Sequence, residues 1–192
     1  MKMIKTDYQD IHEHVGKLYK SIKESNVSDI IIIAVARGGW LVSRILAAYC
    51  EKDGMSCDSY SIAASYAKHR TPHEHVVLRQ KLDDDSILRI NQGLQKGAKI
   101  VIVDSVCQTG RELSAIRDYI SDVFHSTQVL TAAVHVVKFK SCLSASWRTV
   151  FLQPDYHGVL FEYDEMPYID YPWEYTSLKD FQKEEKHANT CH

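Results

Sequence analysis

The sequence predicts an α/β domain built on a mostly parallel sheet, and three observations predict it. Short apolar runs rich in β-branched residues recur along the chain: IIIIAVA from Ile30 to Ala36, KIVIVD from Lys99 to Asp104, and Val129 to Val137. Runs without a polar face suit strands buried on both sides. Between them lie segments whose apolar residues repeat every three or four positions, the signature of helices with one buried face. Strands and helices that alternate in this way pack as a parallel sheet with helices over it.

The elements follow in order. Tyr8, Ile11, Val15, Leu18 and Ile22 form the stripe of a helix from Asp7 to Ser25. Asp29 introduces the first strand, and Arg37-Gly38-Gly39 ends it. Leu41, Val42, Ile45, Leu46 and Tyr49 carry a second helix to about Asp53-Gly54, and Cys57 to Ala63 alternates like a strand. Residues 65–91 are polar, with AKHRTPHEH, HVVLRQ and KLDDDS, and predict a mobile functional loop or hairpin. The strand from Lys99 is followed by a loop from Ser105 to Thr109. Gly110 then opens a helix marked by Leu113, Ile116, Ile120, Val123 and Phe124. Val129 to Val137 is a third apolar strand, and Thr149 to Leu152 a short fourth. After Pro154 the texture becomes aromatic and acidic, with Tyr156, Tyr163, Tyr168, Tyr171, Trp173 and Tyr175. The expected division is a core over 1–153, an aromatic segment over 154–178 and a frayed tail over 179–192.

Composition narrows the function. The chain has 192 residues, enough for one domain, and its 45% hydrophobic and 25% charged residues exclude wholesale disorder. A formal net charge of −2 gives no electrostatic case for nucleic acid, and no basic tail suggests a membrane surface. The N-terminus lacks the apolar core of a signal peptide. The five cysteines are odd in number and contain no C-x-x-C pair, which suits a reducing, cytoplasmic setting. His12-Glu13-His14 and His73-Glu74-His75 are the only histidine clusters. On a helix this spacing turns the two rings apart, so they are expected to be polar surface residues and not zinc ligands.

The chemistry concentrates in KIVIVDSVCQTGREL, Lys99 to Leu113. A buried strand ends at Asp104, and a short loop leads through Gly110 into a helix. Ligands in such folds sit beyond the carboxyl ends of the strands. First-turn amides, with a glycine that admits close approach, make an anion cradle there. The G-x-x-x-x-G-K spacing of a P-loop is absent. Thr109 and Glu112 also match the capping box T-x-x-E, which needs no ligand, and both readings stay open.

VIVDSVCQTGREL resembles the phosphoribosyl-pyrophosphate (PRPP) motif of the type I phosphoribosyltransferases. AVARGGWLVSRILA, Ala34 to Ala47, resembles the family's pyrophosphate loop, and AVHVVKFKS, Ala133 to Ser141, its base-side lysine strand. PDYHG with PYIDYPWE, Pro154 to Glu174, is similar to the purine hood of the xanthine-guanine enzymes. The four lie in the family's order over nearly the whole chain.

The resemblance implies the type I phosphoribosyltransferase fold with a C-terminal aromatic hood, and it assigns roles. Arg37 and Gly38 would meet pyrophosphate, and Asp104 with Ser105 the ribose. Cys107, Gln108, Thr109, Gly110 and Arg111 would wrap the 5′-phosphate. Lys138, Tyr168, Ile169 and Asp170 would hold the base, with Lys138 donating to the purine 6-oxygen. Glu174 would hold Mg2+ on the pyrophosphate side. Asp104, Gln108 and Lys138 occupy the catalytic positions. The reaction implied is magnesium-dependent transfer of a 5-phosphoribosyl group from PRPP to a 6-oxopurine such as guanine, xanthine or hypoxanthine. The product is a nucleoside monophosphate, as in purine salvage, and the family resemblance also implies a homo-oligomer, a dimer or a tetramer.

Three residues depart from the pattern. Ser105 replaces the second acid, Gln108 the aspartate before Thr-Gly, and Ala36 the serine of the pyrophosphate loop. Glutamine cannot ionise, so a base at position 108 is lost. The alternative is therefore a weak or inactive relative that binds PRPP or a nucleotide and regulates a partner.

Overall fold

A computed structural model describes residues 3–25, 27–66, 76–125, 128–139, 152–163 and 167–173. The elements are β1 (Met3–Lys5), α1 (Tyr8–Glu24), β2 (Ile30–Ala36), α2 (Gly38–Lys52), β3 (Cys57–Tyr66), β4 (Val76–Gln80), α3 (Asp84–Gln95), β5 (Lys99–Cys107), α4 (Arg111–Phe124), β6 (Val129–Phe139), β7 (Tyr156–Tyr163) and β8 (Tyr168–Asp170). Six strands form the main sheet in the order β4-β3-β2-β5-β6-β7. Only β4 runs antiparallel to its neighbour. No helix among the described residues is long and apolar enough to cross a membrane.

The continuous apolar strands divide their side chains between two cores. From β2, Ile30 and Ile32 face α1 and α2, whereas Ile31, Ile33 and Val35 face α3 and α4. Helix α1 buries Ile11, Val15, Leu18, Tyr19 and Ile22. Each such side chain contributes roughly 1.5–3 kcal/mol through the water it sheds. Tyr8, at the head of the expected stripe, instead stays 55% exposed, because it sits in the first turn beyond the sheet edge.

Several expectations are revised. Strand β5 continues to Cys107, so Ser105 and Val106 are strand residues and not loop. β3 pairs antiparallel with β4, residues 67–75 between them lie outside the described residues, and helix α3 follows, whose only fully buried residue is Ile90. An element with one buried anchor leaves little apolar signal. The aromatic segment begins with β7, the edge strand of the main sheet. Residues 149–151 of the expected short strand lie outside the described residues, and Leu152 belongs to no strand. The tail over 179–192 also lies outside them.

Candidate functional site

The chain leaves β2 through α2 to reach β3 on one side, and leaves β5 through α4 to reach β6 on the other. The two helices also cover opposite faces of the sheet. The carboxyl ends of β2 and β5 therefore diverge, and this switch point opens a crevice in such sheets. Arg37 stands at the end of β2, and Asp104 near the end of β5.

Two glycines close that crevice at its base. A Cβ on Gly39 would lie 2.5 Å from the Val103 carbonyl oxygen, and one on Gly38 would lie 2.6 Å from Ser105 Oγ. Only bare backbone lets the start of α2 rest on the end of β5. The Ala36–Arg37 peptide is cis, and Arg37 is exposed at the N-cap of α2. The expected pyrophosphate and ribose residues thus meet in space, although 67 positions of chain separate Arg37 from Asp104.

Asp104 is 8% exposed. Its Oδ1 accepts the Ser105 amide at 2.6 Å. Burial, followed by the charge of Glu112, pushes its carboxyl up to about 7, against the Ser105 and Val106 amides that favour the ionised form. Glu112, in the first turn of α4, is itself pushed up by burial. Sequence reasoning saw Glu112 only as a capping partner. The fold makes it the second acid felt by Asp104, where Ser105 had left a gap.

The loop from Cys107 to Arg111 is fastened from behind. Leu152 donates its amide to the Thr109 carbonyl at 3.3 Å and accepts the Cys107 thiol at 3.8 Å. Burial pushes the Cys107 thiol up to about 12, so it stays a thiol. Gly110 has φ +72°, and a Cβ there would lie 2.1 Å from the Leu152 carbonyl oxygen. It caps α4 with no side-chain hydrogen bond, so the expected Thr109–Glu112 capping box is not formed. An αL glycine at the N-cap leaves the first-turn amides without an internal acceptor. Gln108, Thr109 and Arg111 around it are half-buried.

The base-side residues are placed less uniformly. Lys138 is exposed near the end of β6, opposite Glu162 of β7. Tyr168, Ile169 and Asp170 form β8, which pairs in parallel with β1. Asp170 is 2% exposed, and its carbonyl accepts the Thr6 amide and hydroxyl. Its burial beside β1 differs from an open base-facing carboxylate. Glu174 lies outside the described residues. Among those described, no three acidic, histidine or cysteine side chains converge on a metal position. They do not by themselves make a magnesium site.

The aromatic segment reaches the cradle through a residue to which the sequence assigned no role. Tyr171 is 3% exposed, stacks on Trp173 with ring centroids 4.7 Å apart, and donates its hydroxyl to the Ser105 carbonyl at 2.9 Å. His135, fully buried on β6, lies 2.8 Å from that hydroxyl and 2.8 Å from His14. His14 is therefore half-buried and partnered, which corrects the surface reading for that residue, whereas His12 is exposed as expected. His73 and His75 lie outside the described residues.

Comparison with known proteins agrees with this fold. The phosphoribosyl transferase domain family matches residues 6–142. A hypothetical protein from Neisseria gonorrhoeae, solved with bound ppGpp, superposes with a TM-score of 0.68 at 19% identity, covering 95% of this chain and 94% of that one. The purine phosphoribosyltransferase of Pyrococcus horikoshii gives 0.61 at 19% identity, covering 91% and 95%. The xanthine-guanine-hypoxanthine phosphoribosyltransferase of Helicobacter pylori gives 0.61 at 17% identity, covering 94% and 99%. No match was found among curated protein sequences.

Proposed function

The chain belongs to the phosphoribosyl transferase domain family, and on that footing we propose that it transfers the 5-phosphoribosyl group of PRPP to a 6-oxopurine, releasing pyrophosphate. The observation that carries this reading is the pairing of two helix starts without side-chain caps, at Arg37 and Gly110, on either side of the buried Asp104. A substrate with a phosphate at one end and a pyrophosphate at the other needs two such anion sites about one ribose apart.

In this scheme the amides from Cys107 to Arg111 hold the 5′-phosphate, and Asp104 holds a ribose hydroxyl. Arg37 and Gly38 face the pyrophosphate. Lys138 donates to the purine 6-oxygen, from the tip of a strand adjoining β5. Magnesium, when it enters with PRPP, supplies charge neutralisation on the leaving pyrophosphate. The protein's own contribution is positioning, which alone can supply several kcal/mol. Gln108 can donate or accept a hydrogen bond but cannot take the purine proton. Loss of a general base costs ~10²–10⁴ in rate, so turnover is expected to be slow.

Incubation with PRPP, magnesium and each of guanine, xanthine, hypoxanthine and adenine tests the reading, with nucleotide and pyrophosphate measured together. Product with 6-oxopurines but not adenine is expected. Gln108→Asp should raise kcat, since residue 108 is half-exposed and can carry the charge. Ser105→Asp is a poorer test, because Ser105 is 5% exposed and a second carboxylate beside Asp104 would be buried with it.

A second reading is favoured by Ser105 and Gln108, which remove charge from the chemistry and leave the backbone cradle intact. It makes the protein a guanosine-nucleotide binder that acts on a partner without turnover, and the ppGpp bound by the Neisseria protein of similar fold supports it. Tight binding of GMP or ppGpp with no pyrophosphate release from PRPP would select it.

A further inference from the structure

Four groups from distant parts of the chain form one hydrogen-bonded row, half-buried at its first member and buried along the rest: His14 on α1, His135 on β6, Tyr171 after β8, and the Ser105 carbonyl on β5. The contacts are His14 Nδ1 to His135 Nε2 at 2.8 Å, His135 Nδ1 to Tyr171 Oη at 2.8 Å, and Tyr171 Oη to the Ser105 oxygen at 2.9 Å.

The chemistry of the last group fixes the direction of the whole row. A carbonyl can only accept, so the single Tyr171 hydroxyl proton is committed to Ser105. The Tyr171 oxygen must then accept, and His135 must carry its proton on Nδ1. A neutral His135 protonated on Nδ1 has a bare Nε2, which can only accept. His14 must therefore donate from its own Nδ1. Burial, with His14 alongside, pushes His135 down to about 3, so the ring stays neutral and keeps one tautomer at ordinary pH. The row ends on the residue whose own amide donates to Asp104 Oδ1 at 2.6 Å.

Packing holds the row in place. A Cβ on Gly158 would lie 2.4 Å from the His14 carbonyl oxygen, so the bare backbone of β7 is what lets α1 come within reach of His135. Phe161 and Tyr171 lie against the His135 ring, with centroids 5.4 and 5.5 Å away.

We infer that His14, His135 and Tyr171 form a one-way hydrogen-bond relay that fixes the Ser105–Val106 peptide beside Asp104, making Tyr171 and His135 positioning residues for the nucleotide loop and His14 its remote terminus on the outer helix. The inference rests on the reading of that loop as the phosphate and ribose site. Aligned donors polarise one another, so a change at one end is felt at the other.

Nitrogen-15 NMR of the imidazoles at pH 7, with and without GMP, tests this on the full chain. Both His14 and His135 are expected in the Nδ1–H form, and saturating GMP should shift the His14 resonances. Tyr171→Phe keeps the ring on Trp173 and removes the hydroxyl. It should weaken GMP binding about tenfold, the loss of roughly one buried hydrogen bond, and should abolish the GMP-induced shift at His14. His135 in the Nε2–H form overturns the relay. His14 unmoved by bound GMP overturns the positioning role, and this arm needs no variant to fold. A parent chain with both tautomers as assigned but no affinity for GMP or PRPP overturns the reading of the loop and leaves the direction of the relay standing.

Discussion

Helices α1 and α3 begin on aspartates, and helices α2 and α4 do not. Asp7 accepts the Asp10 amide at 2.8 Å while Asp10 returns the favour to Asp7 at 3.0 Å, a complete capping box. Asp83 accepts the Ser86 amide at 2.8 Å. At α2 the cap is Arg37 and at α4 it is Gly110, neither with a side-chain hydrogen bond. The capped helices follow the small β1–β8 sheet and the antiparallel edge strand. The uncapped pair follow β2 and β5, the two central strands at the switch point. A cap is worth about 1 kcal/mol. The two helix starts without one follow the strands that flank the switch point, and the buried Asp104 lies on one of those strands. On the proposed function, the difference separates helix starts built for stability from those that would take an anion.

The comparison can be broken most violently at Gly39. Gly39→Val would drive a side chain into the Val103 carbonyl, 2.5 Å from the Cβ position, and part α2 from β5. Roughly 3 kcal/mol of stability should be lost, with nucleotide binding abolished, as read by denaturant titration and calorimetry. Gly110→Ala should act similarly, through Leu152 and the positive φ, so it reports on the fold as well as on the ligand.

The next largest effect lies in pH. His135 sits at about 3 in the folded protein against an ordinary 6.5. Between those values the unfolded chain binds the extra proton, and stability rises with pH by roughly 1.4 kcal/mol per unit. Asp104 sits at about 7 against 3.8. Between those values the folded chain binds the extra proton, and stability falls with pH by a similar roughly 1.4 kcal/mol per unit. From about pH 4 to 6.5 the two slopes oppose each other. Asp104→Asn should leave a stability that climbs with pH across this window, and His135→Gln one that declines. Equal slopes in both variants would remove these two buried groups as the source of the pH dependence.

At the cradle, Thr109→Ala should weaken GMP binding about tenfold, the order of one hydrogen bond to a charged group, with little change in Tm. The smallest effect belongs to the capped side. Asp7→Ala should cost about 1 kcal/mol of stability and leave the affinity for GMP unchanged. Loss of GMP affinity in Asp7→Ala would erase the division between the two kinds of helix start.

Much of this was legible before any fold was known. The run from Ile30 to Ala36 is β2 to the residue. The stripe from Asp7 to Ser25 is α1 with its two caps. Burial on both faces writes a continuous apolar run into the chain, and burial on one face writes a period, so strands and helices near the centre declare themselves locally. The turn from β5 through Gly110 into α4 was legible for the same reason, although the strand runs on to Cys107, past the end that the sequence suggests.

Local pattern settles the α/β class, the central strands and the turn from β5 into α4, because each depends on neighbours in the chain. Only the tertiary structure decided the rest. The edge strand β7 and helix α3 have too little buried surface to leave a pattern. The approach of the α2 start to Val103, Asp104 and Ser105 depends on two glycines meeting a strand far along the chain. His135, in AVHVV, reads as one polar residue in an apolar run, and nothing local marks it as functional. Its partners, His14 and Tyr171, stand 121 and 36 positions away and are joined to it only when α1, β6 and the segment after β8 pack together. A hydrogen bond needs atoms within about 3 Å, and the order of residues along a chain carries no direct record of that distance.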